Sequence, residues 1–137
     1  MISEQDVKQL ATRFWAIVTS GVDGNAANSY FINPGILLPT GEWIDLESHQ
    51  VMHRSLCDER HQWLDLNIKQ LPGDKQRALA KGRLQWEASI KHCKTERIKA
   101  IVEETWMLEF CEKKGLRWTL YWSDALELLP GSAIFKP

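Results

Sequence analysis

Residues 83–122 read RLQWEASIKHCKTERIKAIVEETWMLEFCEKKGLRWTLYW, and this stretch decides the fold. Leu84, Trp86, Ala88 and Ile90 alternate with Gln85, Glu87, Ser89 and Lys91. Ile98, Ala100, Val102, Trp106, Leu108 and Phe110 keep the same period, as do Leu116, Trp118, Leu120 and Trp122. A period of two sends alternate side chains to opposite faces of a strand, so one row is buried. The breaks at Cys93–Glu96 and Glu112–Gly115 suit the turns of an antiparallel meander. The row expected to face inward is rich in tryptophan and holds one misfit, Glu104.

Upstream, Leu64, Leu66 and Ile68 alternate with Asp65, Asn67 and Lys69 and predict a further half-buried strand. Leu71-Pro72-Gly73-Asp74 is a turn signal. The next strand begins near Arg77, and its inward row opens small, with Ala78, Ala80 and Gly82. A glycine in mid-strand predicts a bulge or a sharp bend. The N-terminal third reads differently. Val7, Leu10, Ala11, Phe14, Ile17 and Val18 form the apolar stripe of a helix over residues 3–20. Ser3 and Asp6 have capping-box spacing, and Gly21 is placed to end the helix.

Asp23–Asn28 reads as a short helical turn, and Tyr30–Ile32 as a short strand stopped by Asn33-Pro34-Gly35. A second amphipathic helix is expected from Asp45 to about Cys57, with His49 and His53 inside its apolar arc. His61 and His92 fall in or near turns and are expected to face solvent. The tail, Asp124 to Pro137, is expected to dock through Leu126, Leu128 and Leu129. Helices followed by a meander make an α+β pattern. The expectation is a curved antiparallel sheet wrapped around the N-terminal helices, cone-shaped with a central cavity. At 137 residues the chain is expected to form one domain, 1–137.

Composition narrows the function classes. A formal net charge of −1 without a basic run gives no sequence-independent grip on nucleic acid. No apolar run approaches the ~20 residues a membrane span needs. The first residues are acidic and lack a signal-peptide pattern. Cys57, Cys93 and Cys111 are widely spaced and odd in number, which fits free, inert thiols and a cytoplasmic location.

The element order and several motifs resemble the SnoaL-like group of the nuclear transport factor two-like superfamily. The resemblance rests on the helix and turn Arg13-Phe14-Trp15-Ala16-Ile17-Val18-Thr19-Ser20-Gly21-Val22-Asp23. It continues with Tyr30-Phe31-Ile32-Asn33-Pro34, the turn and helix from Gly41 to Leu56, and the closing meander. It covers roughly residues 3 to 130. It implies the cone fold with a ligand cavity, and relatives that include ketosteroid isomerase, polyketide cyclases, dehydratases and non-enzymatic binding domains. One fold hosting many functions leaves the activity open. Ketosteroid isomerase chemistry needs a base carboxylate, a tyrosine and a protonated aspartate. In this chain the matching positions read Asn33, Phe14 and Trp106. Steroid isomerisation is therefore not expected.

Glu104 is the sharpest catalytic candidate. A carboxylate among Val102, Trp106, Trp86 and Trp118 loses hydration, its pKa rises, and it can act as an acid or base near neutral pH. The alternatives are a buried Arg or His partner, or a bulge that turns it outward. His53 could complete an acid–base pair with it, Glu104 as base and His53 as acid. His49 and His53 share a face, but no His-Glu-x-x-His pattern accompanies them, so no metal and no cofactor is expected. Phe14, Asn33, His49, Trp86, Trp106, Trp118 and Trp122 are the expected ligand-binding residues, although core packing explains the aromatic row equally well.

The expected function is binding of an apolar or aromatic small molecule, with catalysis open. The alternative is a non-catalytic dimerisation or scaffold domain. A pocket of about 300 Å³ or more near His53 favours the first, and a cavity filled by tryptophan favours the second. Ile101, Thr105, Met107, Thr119 and Tyr121 form a less polar patch on the outward row, where a homodimer is expected.

Overall fold

The computed structural model describes residues 1–135, and of Cys93 and Lys94 the backbone alone. The expected thiol state of Cys93 and the last two residues of the tail lie outside the described residues. Cys57 and Cys111 are free and half-buried.

Four long strands follow one another as antiparallel neighbours: β3 (Leu56–Leu71), β4 (Gln76–Ile90), β5 (Cys93–Cys111) and β6 (Gly115–Leu128). Two short strands, β1 (Ile36–Leu37) and β2 (Trp43–Ile44), extend the sheet to the order β2-β1-β6-β5-β4-β3. β1 runs parallel to β6, so the sheet is mixed at that edge. Helix α1 (Glu4–Ser20) is capped by Ser3 and Asp6 through reciprocal bonds and ends at Gly21, which takes the left-handed conformation with φ 83°. A 3-10 helix (Gly24–Tyr30) and helix α2 (Leu46–His53) complete the helical side. The whole is an α+β cone.

The sheet curls because its concave row is small where it meets α1, and because its strands are bulged. Ala78, Ala80 and Leu84 join Val7, Leu10, Phe14, Trp106 and Trp118 in the larger core. Trp86, Ala88, Ile98, Ala100 and Val102 form a smaller core toward the β4–β5 turn, with Leu126, Ala133 and Phe135 packed on it. Gly82 pairs with Leu66, just past a bulge at Leu64 on the partner strand. A Cβ at Gly82 would stand 2.8 Å from the Trp63 ring and 2.9 Å from the Asp65 carbonyl. The glycine therefore admits the bulged neighbour rather than forming the bulge.

Several expectations are corrected. α2 ends at His53, and β3 starts at Leu56, well before Leu64. Leu64 is the extra residue of the bulge and is exposed. Tyr30 closes the 3-10 helix, and Phe31 makes only an isolated parallel bridge to Trp118. In β6, Trp118 pairs with Leu108 but Leu120 pairs with Met107, so Thr119 is extra. The side chains from Leu120 to Ser123 change face. Tyr121 turns inward and is buried, while Leu120 and Trp122 turn outward. A second extra residue, Asp124, restores the first phase, and Leu126 and Leu128 face the smaller core.

Candidate functional site

A pocket of about 80 Å³ lies between the two cores. Leu84 and Tyr121 line it from the larger core, and Trp86, Val102 and Leu126 from the smaller. α1 adds Trp15 and Val18, the segment around β1 adds Ile36 and Leu38, and α2 adds His49, Met52 and His53. The volume is smaller than the roughly 300 Å³ of a drug-sized ligand site. A water needs ~10–15 Å³ of such space, so the pocket has room for several waters or one small organic molecule.

The polar groups fall into two sets. The first is built on His53, the last residue of α2. Its Nδ1 lies 2.9 Å from Glu59 Oε1, and the same oxygen accepts the Trp86 indole N–H at 3.0 Å. Glu59 reaches this position through a bulge. Cys57 pairs with Ser89 and Arg60 with Glu87, so β3 carries one residue more than β4 there. Asp58 absorbs the kink with a left-handed φ of 49°, a conformation that aspartate tolerates better than most residues. Burial alone would raise the Glu59 carboxyl. The bonds from His53 and Trp86 and the charges of His53 and His61 outweigh it, and the pKa is lowered overall.

His61 lies on the concave side of β3, opposite Trp86, and stacks on Trp15 at 4.0 Å and 7°. Burial pushes its pKa down to about 4, against the pull of Glu59. His49 stacks on Phe14 at 5.7 Å, and burial, then the charges of His53 and His61, hold its pKa well below the usual value. Among the described residues its Nδ1 is enclosed without a hydrogen-bond partner.

The second set is built on Glu104, which is 4% exposed. It accepts from Ser123 Oγ at 3.0 Å and from the Trp106 indole N–H at 3.2 Å. Burial pushes it up to about 8, although both bonds favour the ionised form. Tyr121 stands beside it in the pocket lining. Trp15 Nε1 donates to the Tyr121 oxygen at 3.1 Å. Among the described residues nothing accepts the Tyr121 hydroxyl proton. Burial, and then Glu104, raise the phenol well above its ordinary value.

Of the residues expected at the site, Glu104, His53, His49 and Trp86 line the pocket. Phe14, Trp106 and Trp118 are fully buried core beneath it. Asn33 is exposed beyond the 3-10 helix, and Trp122 donates its indole N–H to the Leu38 carbonyl on the outer side. Among the described residues Glu104 has neither an Arg nor a His partner, and no bulge turns it outward. His53 bonds Glu59, and among the described residues no hydrogen bond joins it to Glu104, the partner weighed for it from sequence. His61 is no turn residue, while His92 lies exposed in the β4–β5 turn. Sequence reasoning missed Glu59, His61, Tyr121, Ser123, Trp15 and Phe135. Among the described residues no three His, Cys, Asp or Glu side chains converge as a metal site.

Solved structures of the same shape place the fold. The nuclear transport factor 2-like superfamily protein from Salmonella enterica has a TM-score of 0.61 at 10% identity, covering 96% of this chain and 92% of its own. The chain has a nuclear transport factor 2-like fold. A cystatin-like fold protein from Caulobacter vibrioides has a TM-score of 0.61 at 10% identity, with 90% and 87% covered. The hexachlorocyclohexane dehydrochlorinase LinA-type3 from Novosphingobium barchaimii has a TM-score of 0.61 at 11% identity, with 96% and 92% covered. Identities this low bear on the fold and not on the activity. No family model and no curated protein matches the sequence. Among the described residues no helix is long and apolar enough to cross a membrane.

Proposed function

We propose that this nuclear transport factor 2-like chain binds a small, largely apolar molecule and acts on it by acid–base chemistry. The observation that carries the reading is that a buried carboxyl, Glu104, and a histidine held by Glu59, His53, line one pocket. Glu104, raised to about 8, is mostly protonated at neutral pH and is the acid. His53 is the base. An ionised Glu59 can only accept, so His53 Nδ1 carries the proton toward it, and the neutral ring would offer the lone pair of Nε2 to the ligand. These roles reverse the pairing expected from sequence, where Glu104 was the base.

His53 Nε2 would take a proton from the ligand while the Glu104 O–H gives one to an oxygen of the ligand. That balance serves an isomerisation or a loss of water. The free Tyr121 O–H would add a second donor to the same oxygen. A phenol and an acid thus enter this cavity from β6 and β5, although the positions matched to ketosteroid isomerase lack both. One neighbour of the same fold is named a dehydrochlorinase, so the fold accommodates an enzyme.

Mass spectrometry under native conditions, applied to protein from its source cell, identifies what the pocket retains. Glu104→Gln and His53→Ala are each expected to lower turnover of that compound by about 100-fold. Unchanged turnover in both would remove the catalytic assignment.

The small cavity and the fully buried Trp106 and Trp118 favour a second reading, a non-catalytic dimerisation or scaffold domain. A retained ligand separates the two. Either reading accommodates a homodimer through the convex sheet face.

A further inference from the structure

Beyond Leu128 the chain stays on the sheet. Leu129 N donates to the Lys99 carbonyl at 2.8 Å, and Ala133 N to the Arg97 carbonyl at 2.9 Å. Between them, Lys99 N donates to Ser132 Oγ at 2.8 Å. Leu129-Pro130-Gly131-Ser132 closes a turn through Ser132 N and the Leu129 carbonyl at 3.0 Å. Gly131 has φ 83°, and proline followed by a left-handed glycine is the pattern of a type II turn. The tail is therefore anchored on β5, which β6 no longer covers at this level.

The anchor aims one side chain at the pocket. Ile134 is 84% exposed, while Phe135 returns to within 5.1 Å of the Trp86 ring, centroid to centroid. Phe135 and Leu126 line the same pocket as His53, Trp86 and Glu104. Trp86 thus contacts both Phe135 and the ring of His53, which is 6.0 Å away. Resting on the reading of this pocket as a ligand site, we propose that Phe135 is a specificity-determining residue. Its ring closes the outer end and limits the ligand to one small ring. The ligand class that fits is an uncharged single-ring compound bearing one hydrogen-bonding oxygen, with the ring between Trp86 and Trp15 and the oxygen toward Glu104 and Tyr121.

The test uses phenol and 2-naphthol as one-ring and two-ring probes, read by NMR on the Trp86 indole N–H of the full chain. The native protein is expected to bind phenol at least about tenfold tighter than 2-naphthol, in the range that ring-sized misfits produce. Phe135→Ala should bring 2-naphthol to within roughly threefold of phenol by removing the overpacking. Phe135→Leu, which keeps an apolar anchor for the tail, should move the ratio the same way by less. An unchanged ratio in both variants, with phenol still bound, overturns the role of Phe135 and leaves the binding site standing. If neither probe moves the Trp86 resonance in the native protein or the variants, the ligand-site reading falls, and the size limit with it.

Discussion

His53 Nδ1 and Trp86 Nε1 converge on one oxygen of Glu59, at 2.9 and 3.0 Å. A single carboxylate from a bulge therefore orients a helix-terminal histidine and an aromatic wall of the pocket together. Removing it leaves two enclosed N–H donors unpaired. Glu59→Ala is expected to destabilise the fold by roughly 2–4 kcal/mol, the cost of unsatisfied donors. Urea unfolding at neutral pH measures it. Nitrogen-15 shifts of the His53 ring should show the proton leaving Nδ1 in part. A loss well under 1 kcal/mol, with the ring tautomer unchanged, would show that the pair does not hold His53 in place.

Stability should depend on pH with a sign set by Glu104 above pH 6.5. Its carboxyl titrates near 4.5 when unfolded and near 8 when folded. Between those values the folded chain holds the extra proton, so stability falls as pH rises. His61 works the other way. It titrates near 6.5 unfolded and about 4 folded, so the unfolded chain holds the extra proton and stability rises with pH in that window. His49, also depressed, adds to that limb. The effects oppose each other below pH 6.5, and Glu104 acts alone from there to 8. The expected loss over that interval is about 2 kcal/mol, at ~1.4 kcal/mol per pH unit. Glu104→Gln should flatten the slope, because an amide does not titrate. A native slope that survives the substitution would assign it to another group.

The residues that escaped the sequence reading share a cause. Alternation is legible only while one residue faces one residue, and bulges at Asp58–Glu59, Leu64, Thr119 and Asp124 break that count. None of the four carries a glycine. Trp118 was placed correctly, but extrapolation past Thr119 exchanged Tyr121 for Trp122. The first half of β3 was hidden for a different reason. Its inward residues include Glu59 and His61 where a core strand would carry aliphatic ones, so the apolar period vanishes where the pocket begins. Glu104 was legible because it interrupts an otherwise unbroken row, in the part of β5 that pairs with β4 without a break from Arg97 to Phe110.

Gly82→Ala tests whether the close passage of β3 over β4 is built in. The new methyl would meet the Trp63 ring at 2.8 Å and backbone of β3 at 2.9 Å. One of these contacts is main chain and cannot rotate away. The substitution is expected to cost about 1–3 kcal/mol, as overpacking does. Thermal unfolding measures it, together with near-ultraviolet circular dichroism for the displaced Trp63. A neutral result would mean that the sheet can open at Leu64 without loss.

The convex face gives the prediction on assembly. Leu79, Met107 and Leu120 lie side by side across β4, β5 and β6, each half-buried and facing away from the core. Trp122 pairs with Thr105 in the next row. The ion pairs Lys81–Asp124 at 3.8 Å, Arg83–Asp65 at 2.8 Å and Lys75–Glu109 at 3.8 Å surround them. An apolar strip with a charged rim is how interfaces are commonly built, and a two-fold axis needs only one such self-complementary patch. The patch differs from the one expected from sequence, because the Thr119 bulge takes Tyr121 out and brings Leu120 and Trp122 in. A homodimer is expected in sedimentation at micromolar concentration. Met107→Lys would set two like charges against each other near the axis and should weaken association by at least about tenfold. Leu120→Glu should do the same, and neither touches the pocket. A native monomer at that concentration refutes the dimer, and a dimer indifferent to both substitutions refutes the face.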